Sequence, residues 1–370
     1  MKKLYTILSL LLATTLAFAG TDKPTSLKAN FVLGSPEIQS INAITFGPEG
    51  VLFIGDSKSG KIFAIDTQDE EKVESVEAVA VKKVDEQLAA LMGTTADNIA
   101  IQDMAVNPLS KKVYLAVHKT DGTPALLTLE NEAWKPVDLS NIKYSEQSLE
   151  NLLADDAKDR RGRSLRVWTV SDLGYHNGQV MVTGLSNQEF SSTFRSLAFP
   201  FKKEQAQTSL EIYHVAHGRY ETYAPIKTFT TAELGGKQHI VASYTCTPLV
   251  VFPMDQLKSG QHVKGRTIAE LGNRNSPLDI ITIEKEGKKY LLMANSSRAV
   301  MKIGYDKLEA FSQSLTNPLS ERGGTEGVDF IALPFVNVLQ MDKLDNNQVL
   351  MLQRRANGDL DLWTAGSRWF

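Results

Sequence analysis

One pattern in the 370 residues constrains the fold more than any other: a supersecondary unit that recurs six times. The segments are INAITFGPEGVLFIGDSKSGKIFAID from Ile41, IQDMAVNPLSKKVYLAVHKTDGTPALLTL from Ile101, and VSDLGYHNGQVMVTGLSNQEFSSTFRSLAF from Val170. The other three are IKTFTTAELGGKQHIVASYTCTPLVVFPM from Ile226, PLDIITIEKEGKKYLLMANSSRAVMKIGY from Pro277, and FVNVLQMDKLDNNQVLMLQRRANGDLDLW from Phe335. Each reads as a short apolar strand, a tight turn rich in Gly, Asn, Pro or Lys, a second strand with β-branched or aromatic residues, a polar turn and a third strand. Runs between the segments, such as EIYHVAH and HVKGRTIAEL, offer an outer fourth strand. Antiparallel units repeated at roughly 45 to 60 residues predict an all-β, six-bladed β-propeller. The count becomes seven-bladed if ANFVLGS opens a further blade instead of closing the last one.

Two insertions read as helical. VDEQLAALMG, from Val84 to Gly93, sets Leu88, Leu91 and Met92 at helical spacing before a Gly stop, and YSEQSLENLLADDAKDRR carries Leu149, Leu152 and Leu153. The expected fold is therefore a propeller with two short helical insertions. No Pro/Gly/Ser linker divides the chain, which predicts a single domain over residues 20–370.

Residues 1–19 have the order of a secretory signal peptide: Lys2 and Lys3, an apolar run from Leu4, then Ala17-Phe18-Ala19. Cleavage before Gly20 would leave a soluble periplasmic or secreted protein, since no later stretch reaches the roughly 20 apolar residues of a membrane span. Losing the two lysines takes the formal charge from −3 to −5, so no nucleic acid is expected as a partner. Cys246 is the only cysteine and closes no internal disulfide, which leaves stability to a large apolar core.

Aligned repeats place equivalent residues side by side around a channel. The third positions are Ala43, Asp103, Asp172, Thr228, Asp279 and Asn337. Asp103, Asp172, Asp279 and Asn337 together form an oxygen-rich ring, suited to Ca2+. An Asp that begins a strand also commonly caps neighbouring backbone N–H groups. The turns between second and third strands add a second set: His118, Asn187 and Glu189, Cys246, Asn295 and Arg298. The loops HGRYETYAP (His217 to Pro225) and GNRNSP (Gly272 to Pro277) contribute Arg219, Glu221, Asn273 and Arg274, and the basic stretch RRGRSLR contributes Arg166. This mixture of carboxylates, guanidinium groups and amides suits a polar or anionic small molecule. His214 and His217 lie three apart in a run read as extended, which would point them to opposite sides, so His217 alone is the candidate.

ITFGPEGVLFIGDSKSGKIFAID and IQDMAVNPLSKKVYLAV resemble blades of the NHL-type and gluconolactonase-like propellers. That resemblance implies a catalytic calcium held by Asp and Asn at the inner-strand mouths, where Asp103, Asp172, Asp279 and Asn337 stand. The strings GLSNQEFSSTFR, YTCTPLV, AELGNRN and NSSRAVMKI resemble a group of exported bacterial β-propeller proteins, which implies the fold and no activity.

Three functions follow. The first is a binding or interaction module with an Arg/Asp-lined site at the channel mouth, taking a small polar or anionic molecule or a periplasmic protein. The second is a calcium-dependent lactonase or esterase, with His118 or His217 as general base. The third is a redox or metal-binding protein that uses Cys246 with a nearby His or Met.

Overall fold

The computed structural model describes residues 26–272, 274–321 and 323–370, so the signal-peptide segment and Asn273 lie outside the described residues. Six sheets of four to six strands, antiparallel except where Gln205–His214 pairs with His262–Lys264, form a propeller of six blades, numbered here in chain order. Blade 1 is built from Ala43–Phe46, Val51–Asp56 and Lys61–Asp66, with Ile142–Ser148 and Val32–Gly34 outside them. The run ANFVLGS thus supplies the outermost strand of blade 1, and no seventh blade is present among the described residues.

The second strand of a blade has both faces covered, and its sequence reads accordingly. Val51–Asp56, VLFIGD, is buried at every position, and Leu350, Met351 and Leu352 of blade 6 are fully enclosed. Apolar side chains therefore run continuously along these strands instead of alternating, as expected for a strand between two layers. Six apolar cores result, each between two neighbouring blades, and their membership gives the order around the ring. Phe53 and Val182 join blades 1 and 3. Ile54 and Ala116 join blades 1 and 2, while Leu115 and Leu352 join blades 2 and 6. The remaining cores join 3 to 4, 4 to 5 and 5 to 6.

The ring order is therefore 2-1-3-4-5-6, closing from 6 back to 2, and differs from the chain order. The chain lays down three strands of blade 1, then sends Ala80–Val81 to the outer edge of blade 6, where Val81 pairs with Leu362. It next builds blade 2 from Ile99–Val106, Val113–Lys119, Pro124–Glu130 and Ala133–Pro136, then returns to give blade 1 its outer strand Ile142–Ser148. Gly55 permits the close approach of blades 1 and 3, since a Cβ there would sit 2.5 Å from Val170 Cγ1.

Of the two expected helices, Val84–Leu91 forms and buries Val84, Leu88 and Ala89 against the core shared by blades 2 and 6. The other expectation is corrected. Ile142–Ser148 is a strand paired with Lys61–Ile65, the residues beyond it carry no helix up to the short turn Arg166–Trp168, and the second helix is Tyr305–Ala310. Leu149 is buried there, and Leu152 packs on Gly60, so these leucines seat a loop on the edge of blade 1.

Candidate functional site

Ionisable side chains gather at the central channel and at the rim of blades 3 to 5. At the channel, Asp103 pairs with Ala116, Asp172 with Thr183, Thr228 with Ser243 and Asp279 with Ala294 in the same register of their blades. Blade 6 corrects one expectation. A register shift just before Gln340, matching those before Asp103, Thr228 and Asp279, puts Gln340 at the ring position. Asn337 is exposed, with φ of 57°, and its carbonyl accepts the Arg354 N–H.

Each ring aspartate fastens its own blade to a neighbour. Asp103 Oδ2 accepts the Ile44 N–H at 2.7 Å, Asp172 Oδ2 that of Phe229 at 2.9 Å, and Asp279 Oδ2 that of Met341 at 2.7 Å. Asp342, one step deeper, accepts Val106 N–H at 2.7 Å. With its amide nitrogen turned to the channel, Gln340 donates to Asp103 Oδ1 at 3.2 Å and Asp279 Oδ2 at 3.1 Å, the orientation that satisfies the local network. The aspartates line a cavity of about 440 Å³. Burial, reinforced by the Asp172 charge, pushes Asp103 up to about 8. Burial and the Asp103 charge hold Asp279 well above the carboxylate range. Burial raises Asp172 to about 6 against its backbone hydrogen bonds, and does the same to Asp342.

The rim site begins at the end of the blade 3 strand Gln205–His214. A single helical turn, Val215–His217, and Gly218 at φ of 63° reverse the chain into Arg219–Glu221, so that His214 pairs with Arg219 and Ile212 with Glu221. The turn reorients His217 and overturns the extended reading of the two histidines: their ring centroids are 3.8 Å apart. Glu221 holds both, with Oε2 3.0 Å from His214 Nδ1 and Oε1 2.7 Å from His217 Nδ1. The same Oε1 accepts from Arg219 Nε and from the Tyr223 hydroxyl, each at 3.2 Å. Burial pushes the Glu221 carboxyl up, but the hydrogen bonds donated by the two histidines outweigh it and bring it down to about 2.

Cys246, half-buried in the turn between Lys237–Tyr244 and Pro248–Pro253, completes the group. Its Sγ and one ring nitrogen from each of His214 and His217 lie within 4.8 Å of one another. Burial, with the Glu270 and Glu221 charges, raises the thiol above its ordinary value, opposed by hydrogen bonds to Thr247. Glu270 is fully buried, accepts from Thr247 Oγ1 and the Ala216 N–H, and is pushed by burial to about 7.

The neighbouring loops are hydrogen-bonded into one surface. Ser276 Oγ donates to the Thr245 carbonyl at 2.9 Å, its N–H to Ser296 Oγ at 2.9 Å, and the Ser297 N–H to Asn275 Oδ1 at 3.2 Å. Arg298 lies over Gly272, where a Cβ would sit 2.3 Å from Nη2.

The structure therefore unites Arg219, Glu221, Cys246 and His217, and adds His214 and Glu270, which the sequence did not single out. Arg274 is exposed on the same loop surface. Other candidates have local structural duties. Arg166 donates to the carbonyls of Ser57, Lys58 and Leu153. Asn295 is buried, bonding the Met293 and Ala299 carbonyls. His118 Nε2 accepts the Ile41 N–H at 2.8 Å, and burial lowers its pKa, so its lone pair is spent holding blade 2 to blade 1. Asn187 and Glu189 are exposed on a blade 3 turn that joins Asn151.

No family model and no curated protein matches the chain. Among solved structures it is similar to Drosophila Plexin A in complex with Semaphorin 1b, at 11% identity and a TM-score of 0.40 over 90% of this chain and 86% of that one. It is also similar to the β-propeller domain of Myceliophteria thermophila Cps50 (Swd1), at 9% identity and a TM-score of 0.36 over 88% and 82%. A third likeness is to the WD40 propeller domain of Doa1, at 9% identity and a TM-score of 0.34 over 91% and 97%.

Proposed function

We propose that the chain is an exported binding module whose ligand site is the rim of blades 3 to 5 and not the channel. The observation that carries this reading is Glu221, a buried carboxylate that draws His214, His217, Arg219 and Tyr223 to one point beside Cys246. Polar groups held in place before a ligand arrives lose little freedom on binding. The exposed Arg219 and Arg274 favour a small anionic ligand such as an organic carboxylate or phosphate, which a guanidinium fork grips with two hydrogen bonds. The basic, apolar and small-residue order of residues 1–19 supports export, and no helix among the described residues is long and apolar enough to cross a membrane. The calcium-lactonase reading has less support, because the channel aspartates already accept backbone N–H groups from adjoining blades.

Calorimetric titration with a panel of small carboxylates and phosphates, run in chelator, tests the proposal. Arg219→Ala should weaken a bound panel member by at least roughly tenfold, the loss expected for one charge-assisted contact. Equal binding by the variant, or binding lost in Asp103→Asn but not in Arg219→Ala, would place the ligand elsewhere.

A further inference from the structure

Glu221 engages the Nδ1 atom of both histidines, which leaves each ring with Nε2 as its uncommitted nitrogen. A carboxylate accepting from Nδ1–H fixes the tautomer in which Nε2 carries a lone pair, the arrangement that supports imidazole ligands of metals. His214 is 2% exposed, and its Nε2 is buried with no hydrogen-bond partner among the described residues. An orphaned lone pair in an enclosed position is costly unless a donor or a cation meets it. A ring nitrogen from each histidine and the Cys246 thiol fall within one 4.8 Å group.

From this geometry we infer that His214, His217 and Cys246 form a centre for a d-block cation of the zinc or copper class, with Glu221 positioning both histidines. This deepens the rim-site reading and rests on it: the ion would add a contact to an anionic ligand that the arginine side already holds. Two imidazoles and a thiolate select such an ion over Ca2+ or Mg2+, which prefer oxygen. Donors bound tetrahedrally to zinc at about 2.0–2.3 Å stand roughly 3.3–3.8 Å apart, so the group closes with about an ångström of movement. His217, whose side chain is 46% exposed, has the room to make it. Three protein ligands leave a fourth position for water or a small anion, as in zinc sites that carry out chemistry or exchange ligands. The two negative charges of thiolate and Glu221 would balance a divalent ion.

The centre also explains why only part of the cluster was visible in the sequence. A spacing of three residues is uninformative in a strand, and the turn at Val215–His217 makes it a ligand pair. The third ligand comes from blade 4, and no local motif links it to the other two.

The test is titration of the full mature chain with Zn2+ against a chromophoric chelator, together with the absorption spectrum of the Co2+ form. One ion should bind per chain, and the Co2+ form should show a thiolate charge-transfer band. Cys246→Ser should abolish that band and weaken Zn2+ binding at least roughly a hundredfold, as should His217→Ala, whose partly exposed side chain makes misfolding a minor concern. Glu221→Gln should weaken binding by about 10- to 100-fold while keeping the band, the effect expected for an outer-shell partner. Stoichiometric Zn2+ binding that is indifferent to Cys246→Ser and His217→Ala, or no binding above that of the double variant, would overturn the inference. If panel anions still bind in chelator and still depend on Arg219, the rim-site reading survives the loss of the metal; if they bind neither in chelator nor with Zn2+ present, the rim-site reading fails whatever the metal titration gives.

Discussion

Asp103 and Asp279 are carboxyls that blade packing pulls out of water and sets around one channel, with Gln340 between them. Their folded-state proton affinity exceeds that of the unfolded chain, whose carboxyls release protons near pH 3.8. The folded state therefore binds more protons than the unfolded chain above about pH 4, and for Asp103 the interval runs to about 8. The stability these groups contribute is present below pH 4 and declines as pH rises, for Asp103 through about 8, by at most about 1.4 kcal/mol per pH unit for each carboxyl. Melting temperatures of the wild type should fall between pH 5 and 9, and Asp103→Asn/Asp279→Asn should flatten that fall while still accepting the Ile44 and Met341 N–H groups. An unchanged slope would mean that the two side chains are ionised throughout. Three of the ring positions were legible as carboxylates because the repeat aligns them. Gln340 was not, because strand pairing makes Val338 the counterpart of Ile101, Ile226 and Pro277, three residues beyond Phe335, where the repeat reads as starting.

At the scale of the element, Val84–Leu91 and the stretch from Tyr144 to Arg161 both read as helix, and only the first became one. Val84, Leu88 and Ala89 make one stripe that finds an apolar surface on blades 2 and 6. Leu88→Ala should cost about 2–5 kcal/mol, read from the urea midpoint, as for other enclosed leucines. A loss below 1 kcal/mol would mean that the helix is peripheral to the core. In Ile142–Ser148 the decisive factor lies elsewhere in the chain: blade 1 has three strands of its own and an unpaired edge at Lys61–Asp66. Pairing that edge satisfies a row of backbone groups, a gain that local helix preference does not match. The same distinction governs the rim. The polar character of His217–Pro225 was legible, whereas the convergence of His214, His217 and Cys246 depends on a reversal at Gly218 and on blade 4 lying beside blade 3.

On the scale of the whole molecule, closure links blades 1, 2 and 6 through one stretch of chain. Ala80–Val81 leaves blade 1, pairs with blade 6 and leads into blade 2, so the ring is fastened within the chain and not by joining its two ends. Val81→Pro, which removes a ladder N–H next to the bulk of the proline ring, should cost about 3 kcal/mol. Hydrogen exchange should then quicken together at Leu362 and Trp363 in blade 6 and at Met104 to Val106 in blade 2. Acceleration confined to blade 6 would show that the two blades open independently. By itself the sequence determined the blade: apolar runs of strand length, turn residues between them and a repeat that occurs six times are local properties, set by residue type and spacing. Tertiary structure alone decided the ring order 2-1-3-4-5-6, the role of Gln340 and the meeting of two histidines with the one cysteine. Each of these depends on which sheet edges and which apolar faces find one another in space, and such non-local pairings leave no period in the sequence.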